Sequence, residues 1–228
     1  MGAFKDQSDF AYHTLRCNVD MLKLIQLGLT FTDIHGRIAS VNGQMCIWQF
    51  NFKGFNLKED VYARDSIELL KQSGIDFVAL ELRGIDVKHF GELLMISDVV
   101  LNDEVKWITF HSGYDFGYLL KLLTSEALPS KESDFFQLLS HYFPHIYDMK
   151  FIMKRLGNVH GGLSKLADLL QVERIGPQHQ AGSDSLLTAS TFFKMCGSKF
   201  NEGGIERFEG ILYGLGRDIA EGVDSLLE

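Results

Sequence analysis

Proline is nearly absent from this 228-residue chain, with three in all. No Ser/Gly/Pro-rich stretch separates the apolar segments, so nothing reads as a flexible linker, and no internal repeat or low-complexity tract is present. Cysteine is as sparse. Cys17, Cys46 and Cys196 are odd in number, far apart and never in a Cys-x-x-Cys pair, which fits reduced thiols inside a cell better than a disulfide or zinc framework. No 18-residue apolar run occurs, and Met1–Asp9 has neither the apolar core of a signal peptide nor an arginine-rich amphipathic pattern. Positive charge is also in deficit: 22 Lys and Arg against 30 Asp and Glu give a formal charge of -8. That balance argues against holding nucleic acid by a generally basic surface, although a nucleic-acid enzyme could be acidic if bound cations met the phosphates.

What the chain has in quantity is apolar surface. At 46% hydrophobic it can bury a full core, and without a linker it reads as one domain ahead of an acidic tail, Arg217–Glu228, expected to fray. Ser8 or Asp9 offers a helix cap before Tyr12, Leu15, Val19 and Leu22 on one helical face. Ile25, Leu27, Leu29 and Phe31 alternate with Gln26, Gly28 and Thr30, and Cys46, Trp48, Phe50 and Phe52 alternate with Ile47, Gln49 and Asn51. These are two strands, joined by the polar segment Asp33–Gly43 and compatible with an antiparallel hairpin. Ala63, Ile67 and Leu70, then Phe90, Leu93 and Leu94, make short helical stripes. Val105–Phe110 reads as a strand running directly into a helix through Phe116, Leu119, Leu120 and Leu123. Phe135–Tyr142, an Ile146–Asp148 strand with its following helix, a stripe of Leu163, Leu166, Ala167 and Leu170, and a long helix from about Ser183 complete an α/β chain with a mixed sheet.

Two clusters carry candidate chemistry, His111–Gly117 and Gln178–Asp184. Asp115 follows a strand end in the first turn of the next helix, where exposed N–H groups and the helix dipole favour an ionised carboxylate able to bind a hard cation; alternatively it only caps or charges that helix. His179 and Asp184 would point roughly 140° apart on a continuous helix, so they converge only if the helix starts between them. Pro177 before His179 and Gly182-Ser183 after it supply such a break, although singly both residues also suit an ordinary loop and first turn. Jointly, two carboxylates and a histidine at helix starts suit phosphodiester hydrolysis. Carboxylates hold two divalent cations about 3.5 to 4 Å apart while the histidine takes the attacking water's proton. An all-oxygen ligand set predicts magnesium or manganese rather than zinc.

The runs Trp48–Phe52, Asp65–Leu70, His111–Leu119, Ile175–Thr188 and Leu212–Gly216 closely resemble the Pop/CAF-type deadenylase subunit of the CCR/NOT complex, over about Gly2 to Gly216. Asn18–Gly28 and Phe116–Thr124 are nearest its plant members. The resemblance implies an RNase H-like exonuclease fold of the DEDD class, with residues 1–216 as the ribonuclease domain. It implies removal of adenylates from the 3' end of mRNA with release of AMP, Mg2+ or Mn2+ as cofactor, and the poly(A) tail and CCR/NOT subunits as partners, with no DNA and no membrane. The address expected is cytoplasm and nucleus. Asp115 and Asp184 match the family's third and fourth acidic ligands, and His179 matches its general base. The first two ligands come from an Asp-x-Glu pair on a central strand ahead of the region that Gly2–Lys5 resembles. The chain is therefore expected to be incomplete at its N-terminus and to lack that strand.

No Asp-x-Glu occurs elsewhere in the sequence. Asp103 and Glu104 are adjacent and would face opposite ways on a strand, Glu132 and Asp134 sit at a helix start without sharing a face, and Asp148 is expected to cap a helix. The alternative function is thus a catalytically impaired subunit with a binding or scaffold role. Pro144 between His141 and His145 argues against a helical zinc pair; these two with His13, His35, His89 and His160 read as surface or satisfied residues. Gly161-Gly162 reads as a helix start, and Phe116, Phe192 and Phe193 as core.

Overall fold

The computed structural model describes residues 7–157, 160–199, 204–216 and 218. Along the chain run α1 (Gln7–Met21), β1 (Gln26–Leu29), β2 (Ser40–Val41), β3 (Gln44–Met45), β4 (Trp48–Asn51), α2 (Arg64–Gln72), α3 (Phe77–Arg83) and α4 (Val87–Met95). They are followed by β5 (Lys106–Thr109), α5 (Gly113–Thr124), α6 (Glu132–Tyr142), β6 (His145–Asp148), α7 (Met149–Gly157), α8 (Leu163–Leu169), α9 (Ala181–Lys199) and a 3-10 turn at Glu206–Phe208. Two compact units result, each assembled from separated segments: unit 1 from Met1–Met21, Lys88–Asn158 and Glu206–Glu228, unit 2 from Leu22–Val87 and Val159–Ile205.

Unit 1 is a parallel β-α-β crossover. β5 pairs with β6 in the register Lys106↔His145 to Thr109↔Asp148, and the long connection needed between parallel strands is supplied by α5 and α6. Trp107 of β5, Phe116 of α5 and Phe143 just after α6 pack ring to ring, with centroids 4.9 Å apart for Trp107–Phe143 and 5.0 Å for Phe116–Phe143. The helical stripe Tyr12, Leu15 and Val19 is buried as its spacing predicts, and α1 lies so close to α5 that a Cβ at Gly117 would come 2.9 Å from Val19 Cγ2.

Unit 2 is an antiparallel pair carrying a helix. β1 pairs with β4 from Gln26↔Asn51 to Leu29↔Trp48. The segment expected to be a plain loop contains a second hairpin, β2 with β3, whose Asn42-Gly43 corner has φ of 52° and 76°, the positive values that a two-residue hairpin turn demands. α9 crosses β1 at Gly28, where any Cβ would overlap the Ala181 carbonyl.

The mixed sheet expected from the sequence is present as these separate pairs: among the described residues β1 pairs only with β4 and β5 only with β6. Helix α3 went unforeseen because its start comes from one side chain: Asp76 accepts from the Val78 and Ala79 N–H groups at 2.9 and 3.0 Å. Leu93 is half exposed rather than core-facing, since α4 buries Phe90 and Leu94. The expected fraying tail lies outside the described residues except for Asp218, which is buried and accepts from Gly214 N at 2.8 Å while pairing with Lys154 Nζ at 3.0 Å. No helix among the described residues is long and apolar enough to cross a membrane.

Candidate active site

In unit 1, Asp115 occupies the first turn of α5 directly after β5, as its sequence position predicts. The chain reaches it through a strained corner. His111 has φ of +59°, a conformation non-glycine residues rarely adopt and one that surrounding bonds must hold. The holder is Asp148, at the end of β6 and fully buried. Its Oδ1 accepts from His111 N at 2.7 Å and Lys150 N at 3.0 Å, and its Oδ2 from Tyr213 N at 3.1 Å and Ser112 N at 3.3 Å. Asp148 therefore caps α7 as expected and also fixes the lead-in to α5. A 2.7 Å bond between Thr109 Oγ1 and Ser112 Oγ completes the corner.

Asp115 does not cap its own helix; Ser112 stands at that position. Solvent reaches the Asp115 side chain, yet protein crowds around the carboxyl. This crowding, and secondarily the Asp148 carboxylate, pushes its pKa up to about 6 against the relief given by its own N–H. A bound cation would remove that penalty, so Asp115 fits a hard-cation ligand.

In unit 2, α9 starts between His179 and Asp184, the break that their convergence requires. His179 has φ of +65° and is exposed; Asp184 donates its N–H to Gln180 O at 2.9 Å within the first turn. The N-terminal N–H groups of α9 are taken by the hairpin: Ala181 N donates to Gln26 Oε1 at 2.7 Å and Gly182 N to Gln49 Oε1 at 2.9 Å. Gln180 interlocks with the same two glutamines, accepting from Gln49 Nε2 at 2.9 Å and Gln26 Nε2 at 3.2 Å while donating to Ser73 O at 2.6 Å. Asp184 is paired with Arg174, whose Nη1 lies 2.6 Å from Oδ1 and 3.2 Å from Ser183 Oγ. Oδ2 is left as the oxygen a cation could take.

His179 and Asp184 thus belong to the start of α9 in unit 2, and Asp115 to the start of α5 in unit 1. Among the described residues no three His, Cys, Asp or Glu side chains are grouped to hold a metal ion. Of the remaining acidic candidates, Glu132 accepts from Ser8 Oγ and Gly216 N, and Asp134 accepts from Ser133 Oγ. His145 bonds Glu209 at 2.7 Å, a satisfied histidine as read from the sequence. Sequence reasoning missed Arg174 and the three glutamines. A signal existed for the latter, because Gln26 and Gly28 of β1, with Thr30 just after it, make one face from hydrogen-bonding or minimal side chains, which is the face that receives α9.

The fold is that of an α/β protein with a carboxylate in the first turn of each of two helices. The chain belongs to the CAF1 family of ribonucleases. The model of the CAF1 family ribonuclease matches residues 86–177. A probable CCR4-associated factor 1 homolog from Arabidopsis thaliana is 56% identical over 218 residues, covering 95% of this chain and 79% of its own. The poly(A) ribonuclease pop2 of Schizosaccharomyces pombe is 53% identical over 217 residues, covering 95% of this chain and 63% of its own. The S. pombe Pop2p structure in its Mg2+- and Mn2+-bound form superposes with a TM-score of 0.89 at 51% identity, covering 94% of this chain and 84% of that one. A yeast CAF1 co-crystallised with the NOT1 MIF4G domain gives 0.77 at 32% identity, covering 93% and 83%. The RNase H-like fold and the exoribonuclease class follow from that membership.

Proposed function

We propose that this chain shortens the poly(A) tails of mRNA from the 3' end as the catalytic ribonuclease of a CCR/NOT complex, working in cytoplasm and nucleus. The observation that supports this most is the 53% identity to a poly(A) ribonuclease. In this reading Asp115 and Asp184 hold Mg2+ or Mn2+. Divalent cations at such a site activate the attacking water and stabilise the leaving oxygen. His179, exposed at the start of α9, accepts the proton of that water. Asp115 must be ionised to serve, so its raised pKa makes protons compete with the cation for the carboxylate below about pH 6.

The test is direct. The purified chain is incubated with Mg2+ or Mn2+ and a 5'-labelled RNA ending in adenylates. A one-nucleotide ladder with AMP as product, abolished by Asp184→Asn, is the expected outcome; an unshortened RNA refutes the reading.

A second reading, a complex subunit with impaired catalysis, is favoured by one observation: Arg174 already engages Asp184, a candidate metal ligand. Binding to a NOT1-type MIF4G domain without tail shortening supports it, and tail shortening at a rate that Asp115→Asn abolishes rules it out.

A further inference from the structure

Three of the four backbone N–H groups gathered by the buried Asp148 belong to His111, Lys150 and Tyr213. The side chains of these same residues meet. The His111 ring stands edge-on to the Tyr213 ring, with centroids 5.1 Å apart and planes at 88°. Lys150 Nζ lies 5.4 Å from the Tyr213 centroid and 5.7 Å from that of Phe110. Lys154, one turn further along α7, lies 5.3 Å from Tyr213 and is paired with Asp218. A single buried carboxylate therefore fixes the backbone of two aromatic rings and one ammonium, and it does so at the cost of a left-handed His111.

We propose that Phe110, His111, Lys150 and Tyr213 form a single-stranded RNA subsite beside Asp115, with Lys150 meeting a phosphodiester and the His111–Tyr213 pair stacking a base. The subsite rests on the ribonuclease reading above and extends it to residues outside the metal and proton-transfer set. On a chain of net charge -8, hold on a polyanion must come from local cations. Lys150 is already held over ring faces, so little side-chain freedom is lost when a phosphate arrives. The cluster also combines the two elements that recognise unpaired strands, a cation for the backbone and an aromatic face for the base. His111 is exposed and lies four residues before Asp115, on the corner that leads into α5, so the subsite and that carboxylate share one short stretch of chain. Among the described residues, Asp148 is enclosed by four N–H donors, and Asp218 is occupied by Lys154 and Gly214 N. An acidic protein partner would use the lysines but would have no need of a ring pair set on a strained corner.

The experiment measures anisotropy of a fluorescein-labelled oligoadenylate titrated with the full chain in EDTA, where hydrolysis is blocked, across a series of salt concentrations. Lys150→Gln is expected to weaken binding by about 3- to 10-fold and to flatten the log–log salt slope by about 0.7, the contribution of one phosphate on a single strand. Tyr213→Leu is expected to weaken it by about 5-fold or more with the slope unchanged, and Tyr213→Phe to bind as the parent does. His111→Ala, at an exposed side chain, repeats the stacking test should Tyr213→Leu disturb folding. Parental binding by Lys150→Gln and His111→Ala overturns the subsite and leaves the ribonuclease reading standing. Equal loss of polyglutamate and oligoadenylate binding in Lys150→Gln, with no effect of the ring variants, shows a general anion patch and also overturns it. A parent chain that binds no oligoadenylate in EDTA overturns the subsite alone, because the ribonuclease reading takes the phosphates through bound cations and is tested separately by tail shortening.

Discussion

Asp148→Asn keeps the size of the buried side chain and changes what it offers its four donors. The amide oxygen can serve one pair of N–H groups, either His111 with Lys150 or Ser112 with Tyr213. The amide NH2 then points at the other pair, donor against donor. Each buried N–H stranded in this way costs about 1 to 3 kcal/mol, so two cost about 2 to 6 kcal/mol. Against a typical total of about 5 to 15 kcal/mol, that is a large fraction of domain stability. Urea denaturation followed by Trp107 fluorescence reports on unit 1, in a Trp48→Phe background that silences the other tryptophan. A second readout tests the electrostatic part. Because Asp148 is the lesser cause of the raised Asp115 pKa, its neutralisation should move that pKa down from about 6 only part of the way to 3.8, as followed by carboxyl-carbon NMR. A stability loss below about 0.5 kcal/mol, the scale of ordinary surface substitutions, or an unmoved Asp115 pKa would refute this account of the corner.

Four further outcomes are expected. The folded-state pKa of Asp115 exceeds the ordinary value of 3.8, so between the two the folded chain keeps a proton that the unfolded chain releases; its contribution to stability is present below pH 3.8 and is lost as pH rises through about 6. For the same reason Mn2+ affinity, read by electron spin resonance, should rise about tenfold per pH unit up to roughly pH 6 and then level off, and Asp115→Asn should flatten that profile. Arg174→Met removes a charge-assisted bond to Asp184 worth about 1.5 to 3 kcal/mol of stability and should tighten Mn2+ binding by removing the competing cation; looser binding in a direct titration would count against the competition. Gly28→Ala drives a methyl into the Ala181 carbonyl and should cost about 1 to 3 kcal/mol, with faster amide exchange at Ala181 and Gly182; protection equal to the parent's would show that α9 does not seat there.

Periodicity was enough for the elements that bury one clean face. Tyr12, Leu15 and Val19 of α1, and Phe116, Leu119, Leu120 and Leu123 of α5, all lie where a 3.6-residue repeat puts them. It failed for α3, whose start depends on one Asp76 side chain, and for Leu93, whose exposure depends on which face of α4 packs. The start of α9 was legible from Pro177 ahead of His179, although the helix begins at Ala181, two residues before Ser183, so Gly182 and Ser183 lie inside it rather than breaking the chain. Partners distant in sequence were not legible. Nothing local announces that Gln49 will reach Gly182, that Arg174 will sit on Asp184, or that Asp148 will hold Tyr213 as well as its own helix. Those bonds depend on chain reversals that a one-dimensional repeat does not encode.

The same unforeseen bonds decide between the two roles that a first-turn carboxylate can play. An Asp at a helix start ordinarily earns its place by satisfying N–H groups, which would leave it little to offer a metal. In unit 2 the first N–H groups of α9 are already satisfied by Gln26 and Gln49, so Asp184 is not needed as a cap. In unit 1 Asp148 holds only the lead-in to α5, Ser112 at the cap position makes no side-chain bond, and the Asp115 carboxyl keeps a bond to its own N–H. Amides from a hairpin thus do the structural work in place of the site acid in unit 2. A double change, Gln26→Leu with Gln49→Leu, should reverse this in unit 2. The uncapped N–H groups would recruit Asp184 as their acceptor, so Mn2+ affinity should fall while Asp184→Asn in that background causes no further loss. Metal binding unchanged by the two leucines would mean that the glutamines do not keep Asp184 available.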